Sequence, residues 1–260
     1  MKKILSLLLI LSISTLYAQN YRVIKVDGDI VYKKDDNPLQ KGSSFKAGEQ
    51  FLFKSKNARA ALILPGKGRF ILKPDNSNLA FAKANLAPAM SNMSSRSGAL
   101  VNRVDLENYF SGNYVILNKV KLQISESIFP MNDNQFFYVS YMYRGERIDK
   151  LLSHEKDILI LEKKELLKID GIPIDGSEIS EMKLKYMNRK ENNGRVTISS
   201  FTPIFPDLKQ LKEEVQIVLD GFSQNSKEDK IKEVLMFINE FYGKYDKDDV
   251  LLWLDSEFTF

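Results

Sequence analysis

The spacing of hydrophobic residues changes along the chain and predicts two kinds of secondary structure. Across residues 113–201, apolar and polar residues alternate, as at Val120 and Leu122, which is typical of strands with one buried face. Beyond residue 207, apolar residues recur every three or four positions, as at Leu211 and Val215, which indicates amphipathic helices. The pattern predicts an α+β fold in which a mainly antiparallel sheet is followed by C-terminal helices packed against one sheet face.

The pattern of residues 21–84 predicts a separate small β domain, either a barrel or a sandwich. Tyr21–Val26 and Asp29–Lys33 are predicted strands, and the Asp27-Gly28 dipeptide between them is typical of a two-residue hairpin turn. Further short strands follow at close, regular spacing, separated by glycine-rich turns. They are predicted at Gln50–Lys54, Ala58–Leu64 and Arg69–Lys73.

Glycine and apolar residues of this small domain follow a recognisable order. The order is Val26-Asp27-Gly28, Leu39, Gly42, Phe45, Gly48-Glu49, Phe51, Ala58-Arg59-Ala60, Leu62, Gly68, Phe70 and Leu72. It resembles the FecR-type extracytoplasmic β domain over about a quarter of the chain. The resemblance implies a small β fold outside the cytoplasm, and we carry over that fold but not the signalling role of the family's regulators.

A linker is predicted over residues 85–112. Residues 85–98 are rich in Ala, Ser, Asn and Met and contain few bulky apolar side chains, so we expect this stretch to be exposed. One short helix is expected near its end, with Leu100, Val104 and Tyr109 loosely on one side. The linker would separate the small β domain from a second domain.

The second predicted domain spans residues 113–260, with strands over 113–201 and helices over 207–255. Each of its three helices begins with a capping residue and a polar residue three positions later. Gly243 stands where the second helix should end. The capping pairs are Asp207 with Gln210, Ser226 with Asp229, and Asp246 with Asp249.

One predicted strand, Phe136–Tyr143, is strongly aromatic and allows two interpretations. It is either a central strand buried on both faces, with helices on one of them, or a platform whose open face binds a partner strand or a glycan. The apolar stripes of the C-terminal helices need a partner surface, which favours burial. The two faces would carry Phe136, Tyr138 and Met142, and Phe137, Tyr141 and Tyr143.

The N-terminus has the layout of a secretory signal peptide over residues 1–18. Lys2 and Lys3 precede an apolar run, Ile4–Leu16, which is shorter than the roughly 20 residues of a membrane span. Cleavage after Ala18 is one expectation, and retention as an uncleaved anchor is the other. The prediction is export to the periplasm or another part of the bacterial envelope, with no integral membrane segment after cleavage.

The charge balance and the cysteine and histidine content exclude several classes of function. Without residues 1–18 the chain has 36 basic and 34 acidic residues, a net charge of +2, and the two signs are interleaved. A nucleic-acid-binding protein needs a concentrated basic face, so that function is not expected. The absence of cysteine and the single histidine remove most zinc, iron–sulfur and haem sites, and no cofactor or metal site is predicted.

The chain has no recognisable catalytic constellation, and we predict that it is not an enzyme. His154 follows Ser153 directly, which is not how a nucleophile meets its base, and we expect an exposed loop histidine. A pair of carboxylates for glycoside hydrolysis stays open as an alternative, with Glu107, Asp133 and Glu146 as candidates of equal standing.

Three acidic clusters and one glycine-rich segment are assigned to turns and helix caps. The clusters lack the spacing of a calcium-binding loop, and the glycine-rich segment lacks the pattern of a phosphate-binding loop. These segments are Asp35-Asp36-Asn37, Asn132-Asp133-Asn134, Asp246–Asp249 and Pro65-Gly66-Lys67-Gly68.

Together these features predict an exported, non-enzymatic binding or assembly component that contacts envelope proteins. The alternatives are a module that binds glycan or peptidoglycan and, less favoured, a carboxylate-dependent envelope glycan hydrolase. For the glycan-binding alternative, Tyr32 and Phe53 are the aromatic residues in the small β domain whose loss would be tested first.

Overall fold

The computed structural model describes residues 20–74, 84–88, 102–191 and 194–260. The predicted signal peptide and most of residues 85–98 of the predicted linker lie outside these ranges. Contacts divide the chain into two compact units. The first comprises Met1–Ala89 with Gln216–Gln224, and the second comprises Met90–Val215 with Asn225–Phe260.

The first unit contains an open antiparallel sheet and a separate two-stranded ribbon, and its described residues form no closed barrel. The sheet has the strand order β3-β1-β5-β6-β7, and β2 pairs with β4. Its core includes Phe45, Phe51 and Leu62. The strands are β1 (Asn20–Asp27), β2 (Ile30–Tyr32), β3 (Ser44–Lys46), β4 (Phe51–Phe53), β5 (Arg59–Leu64), β6 (Gly68–Pro74) and β7 (Ala84–Pro88).

The hairpin predicted at Asp27-Gly28 is wrong. The chain does turn there, and Gly28 has a positive φ of 74°, but β1 pairs with β3 and β5 while β2 pairs with β4. The turn is instead fastened to the segment after β4, because the backbone N–H of Asp29 donates to the Ser55 hydroxyl over 2.7 Å. A side chain on Gly28 would collide with Ser55 and Ala58, so this glycine serves a close approach between two loops.

Strand β7 occupies the beginning of the segment predicted as a linker, so the first sheet continues to Pro88. The short helix expected near the end of that segment forms at Arg103–Tyr109 (α1). Its buried side differs from the prediction, because Val104 is 62% exposed while Leu106 and Phe110 are buried in the core of the second unit. A spacing of four residues places these two side chains on one helix face.

The second unit contains a six-stranded sheet of order β11-β10-β16-β17-β8-β18 and a three-stranded sheet of order β12-β13-β9. The larger sheet is antiparallel except where β8 runs parallel to β17 and β18. The strands of the unit are β8 (Gly112–Val115), β9 (Lys119–Gln123), β10 (Gln135–Tyr143), β11 (Glu146–Leu151), β12 (Ser153–Glu155), β13 (Ile158–Glu162), β14 (Lys168–Ile169), β15 (Ile172–Pro173), β16 (Met182–Asn188), β17 (Arg195–Ile204) and β18 (Lys244–Tyr245).

The core of the second unit lies against the inner face of the six-stranded sheet. Phe137, Val139 and Tyr141 of β10 share one hydrophobic cluster with Leu122 of β9 and Leu159 of β13. The inner face of β10 therefore packs in a cluster with the smaller sheet, and the expectation that the C-terminal helices cover this strand is wrong. The two faces of β10 are divided as the alternation predicted.

The three C-terminal helices begin where the capping patterns predicted, and a further short helix precedes them. The N–H of Gln210 donates to Asp207 over 2.8 Å, that of Asp229 to Ser226 over 3.1 Å, and that of Asp249 to Asp246 over 2.8 Å. The helices are α2 (Lys163–Leu166), α3 (Leu208–Gly221), α4 (Lys227–Phe241) and α5 (Lys247–Glu257). The α+β fold class is confirmed, and the short helix α2 lies within residues 113–201, where only strands were predicted.

A helix long and apolar enough to cross a lipid bilayer is missing from the described part of the chain.

Candidate functional site

The side of the six-stranded sheet turned away from the core forms a continuous surface across four strands, which we call the outer face. Strand register places its side chains in rows, because residues directly opposite each other in antiparallel strands share a face. The rows are Arg147 and Met142; Asp149, Ser140, Lys183 and Ser200; Leu151, Tyr138, Lys185 and Thr197; and Phe136, Met187 and Arg195.

Large apolar side chains on the outer face are open to solvent. Leu151 is 70% exposed and Met142 is 54% exposed, although both lie on regular strands of a folded sheet. Basic side chains share the rows of both, since Tyr138 lies between Leu151 and Lys185 in one row and Met142 lies opposite Arg147 in another. Both rows therefore combine an exposed apolar side chain with a positive charge.

The charge of the outer face is predominantly positive. Its rows hold four basic side chains and one carboxylate, that of Asp149, which Arg147 binds at 2.9 Å. Lys183 pairs at its rim with Glu181 at 3.2 Å. Within the described ranges, Lys185 and Arg195 have no ion pair, so their charges are available to an anionic ligand.

The pKa of Lys185 is lowered, in part by the positive charges around it. Partial burial lowers it below its ordinary value, and the nearby Arg147, Lys183 and Arg195 lower it further, while Asp149 partly offsets them. The pKa of Asp149 responds in the opposite sense. Burial would raise it, but hydrogen bonds from Ser140 and Arg147 and the charge of Lys185 outweigh burial and lower it.

The aromatic rings of the outer face are largely covered by neighbouring side chains. Tyr138 is only 7% exposed, and the guanidinium carbon of Arg189 lies 5.0 Å from the centre of the Phe136 ring. A sugar ring that stacks on an aromatic side chain needs an open ring face. The open side of β10 therefore offers a ligand charged and aliphatic groups more than aromatic ring faces.

The two residues proposed for a glycan test in the first unit occupy different environments. Phe53 belongs to the buried core, being 6% exposed, so its loss would test folding rather than binding. Tyr32 is half-buried, and the ammonium of Lys34 lies 4.9 Å from the centre of its ring.

The residues weighed for catalysis are exposed, and two of the candidate carboxylates lie far apart. His154 is exposed, as predicted, but it lies on strand β12 rather than in a loop, and its Nδ1 is 3.1 Å from the carbonyl oxygen of Lys156. Glu107, Asp133 and Glu146 are all exposed. Asp133 precedes β10 and Glu146 follows it, so the length of this strand, about 27 Å, separates them, far more than the roughly 5–10 Å between glycosidase carboxylates.

The acidic clusters form turns and caps. Asp35 accepts from the N–H of Asn37 over 3.2 Å, and Asn132 accepts from that of Asn134 over 3.0 Å. Asp246 caps helix α5, and burial is the main reason why its pKa is raised. Across the described ranges, acidic and histidine side chains do not gather into a group that could hold a metal ion.

Asp249 is a buried carboxylate of the second unit that accepts hydrogen bonds from the backbone. It is 3% exposed, and its oxygens accept from the backbone N–H groups of Leu117, Asn118 and Lys119 at 2.8 to 3.1 Å. A carboxylate held by three backbone donors ties helix α5 to the start of strand β9. Its arrangement is that of a structural anchor, and the sequence identified it only as a capping partner of Asp246.

Sequence reasoning identified β10 as a candidate platform but missed the basic residues around it. Arg147, Lys183, Lys185 and Arg195 come from three strands and are separated by up to 48 positions in the chain. The available signal was the Lys183 and Lys185 alternation on a predicted strand, which places both on the polar face.

Comparison of the chain with models of known protein families gave no match, and no curated protein matches it. The FecR-type resemblance of the first unit therefore stays a prediction.

Proposed function

We propose that this protein is an exported, non-enzymatic binding component of the bacterial cell envelope, and that its outer face holds an acidic segment of a partner protein. The observation that carries the proposal is the row that joins Lys185, without an ion pair in the described structure, to the exposed Leu151. Export rests on the signal-peptide layout of residues 1–18.

The chemistry of the outer face favours a protein partner over a glycan. Exposed Leu151 and Met142 offer aliphatic contacts for alternate side chains of an extended segment, and the basic side chains in their rows match carboxylates. The covered rings of Tyr138 and Phe136 offer little stacking surface for sugars. A glycan hydrolase receives less support, because the three carboxylates considered for it are exposed, and Asp133 and Glu146 lie beyond opposite ends of β10.

The test compares two variants of one residue, Lys185→Glu and Lys185→Arg, in binding a fluorescent peptide of alternating glutamate and leucine. Lys185→Glu should weaken binding at least about tenfold, because a lost attraction is replaced by repulsion, while Lys185→Arg should bind within about twofold of the unaltered protein. Affinity should fall as salt rises, since the charges are exposed. Lys232→Glu, an exposed change on α4, serves as the matched control.

A partner in the cell is sought with a photo-crosslinking residue in place of Met142, and with the same residue at Lys232 as control. An acidic envelope protein captured at the first position and lost in Lys185→Glu supports the proposal. Binding of sacculi or anionic polysaccharide, with no binding of the acidic peptide, would refute the protein partner. Equal capture at both positions would refute the outer face as the binding surface.

A further inference from the structure

Strand β11 forms one edge of the six-stranded sheet and leaves a row of backbone groups open. One side of β11 pairs with β10, and no strand of the described chain pairs with its opposite side. The backbone N–H of Leu152 donates to the carbonyl oxygen of Phe137, so the backbone groups of Leu152 point toward β10. In an antiparallel pair this direction alternates from one residue to the next. The backbone N–H and C=O groups of Arg147, Asp149 and Leu151 therefore point away from β10.

An open strand edge is a template for another strand, and its charges decide which strand fits. The side chains of β11 alternate in sign: Glu146 is acidic, Arg147 basic, Asp149 acidic and Lys150 basic, with Ile148 at the centre. When the order of these five residues is reversed, every charged position meets a residue of opposite charge. A second copy that approaches antiparallel can therefore match every charge at once.

We propose that β11 pairs antiparallel with β11 of a second copy of this chain, about a two-fold axis through Ile148. Arg147 then lies opposite Asp149 of the second copy, and Glu146 lies opposite Lys150 of the second copy. The symmetry repeats both pairs, and Ile148 meets its own copy. This isologous contact closes after two copies, so it yields a dimer and not a fibre.

Backbone geometry selects this register independently of charge. Arg147 and Asp149 both direct their N–H and C=O outward, so a pair of them exchanges two hydrogen bonds, and the symmetric pair exchanges two more. Moving the register by two residues keeps this backbone match but places Asp149 opposite Asp149, or Arg147 opposite Arg147. Like charges directly opposite each other are destabilising, so one register remains.

The proposed dimer joins two six-stranded sheets into one. Because residues that lie opposite each other share a face, Arg147 and Asp149 of both copies meet on the outer face, while Ile148 stays on the inner side. The contact uses groups that are open in the single chain, since Glu146, Arg147 and Asp149 are exposed. It does not depend on what the outer face binds.

Charge reversal and charge exchange test the contact by sedimentation equilibrium of the purified protein. Arg147→Asp should raise the dimer dissociation constant at least about tenfold, because two attractive pairs become repulsive. The exchange Arg147→Asp with Asp149→Arg should restore dimerisation to within about threefold, because the pairs are complementary again. Lys121→Asp, an exposed reversal on β9, should leave the dissociation constant unchanged.

A cysteine at the two-fold axis gives a second readout, and the chain has no cysteine of its own. Ile148→Cys should form a disulfide between copies under mild oxidation, because the two Cα atoms would lie about 4.5 Å apart. Leu151→Cys should not, because the same register separates its two copies by about 20 Å. A protein that stays monomeric, a dimer insensitive to Arg147→Asp, or equal crosslinking at both positions would overturn the proposal.

Discussion

At the scale of single residues, charged side chains in this protein occupy two distinct environments. Asp249 is buried and satisfied by backbone donors, whereas Lys185 is half-buried in a positive neighbourhood that depresses its pKa. The first holds two segments of the fold together, and the second is the residue on which the proposed partner binding rests. Sequence alone does not separate them, because both are charged residues in strongly periodic segments.

Replacing Asp249 tests its anchoring role. Asp249→Ala should lower the free energy of unfolding by about 3–5 kcal/mol, because the backbone N–H groups of Leu117, Asn118 and Lys119 lose their acceptor. Asp249→Asn should be milder, since its amide oxygen still accepts. Urea unfolding measures both. The exposed Asp248→Ala is the control, and a loss as large there would contradict the assignment.

Tyr245 makes stability depend on alkaline pH. Burial raises its pKa to about 12, so between pH 10 and 12 the folded state keeps a proton that the unfolded state has released. The free energy of unfolding should therefore fall as pH rises through this window. Tyr245→Phe should remove that part of the slope. Urea unfolding of both proteins at pH 8, 10 and 11 gives the difference, and parallel slopes would show that the residue does not contribute.

At the scale of secondary-structure elements, local signals succeeded wherever the deciding contacts were themselves local. Capping pairs predicted the starts of the three C-terminal helices. In the structure, the dipeptides Arg144-Gly145 and Asp170-Gly171 join paired strands with the two positive φ values of a type I′ turn. The hairpin signal at Asp27-Gly28 gave a turn without a hairpin, because the turn is hydrogen-bonded to Ser55, distant in sequence, and β2 pairs with β4. A dipeptide specifies a bend but not the pairing of the strands on either side.

Gly243 tests how much the end of one helix matters. Its φ is +126°, and a side chain there would collide with the backbone of Asn113, so Gly243→Ala should lower the free energy of unfolding by about 3 kcal/mol or more. Gly171→Ala is the matched control, with φ of +85° and open space around it, and should lose only about 1 kcal/mol. Equal losses would show that backbone strain, not the collision, dominates.

At the scale of the whole molecule, composition and contacts give related but not identical divisions. The sequence predicts domains over residues 21–84 and 113–260, whereas contacts extend the first unit to Ala89 and add Gln216–Gln224 to it. The helical period over residues 207–255 predicts α3 correctly. It does not predict that contacts assign the residues of this helix to two different units.

Limited proteolysis tests the linker prediction. We expect the first cut between Asn85 and Gly98, and beyond Pro88, because β7 is hydrogen-bonded to β6 as far as that residue. Mass spectrometry of the first fragments measures the position. First cleavage within residues 113–201 would contradict the predicted organisation.

The sequence by itself determined the α+β class, most strands, the helix starts and the two faces of β10, because these follow from periodicity and capping between near neighbours. Only the tertiary structure decided that Phe53 is core, that β1 and β2 do not pair, and that Arg147, Lys183, Lys185 and Arg195 share one face. It also decided that β11 is an edge. These features depend on strand order and register, which are set by contacts between residues far apart in the chain.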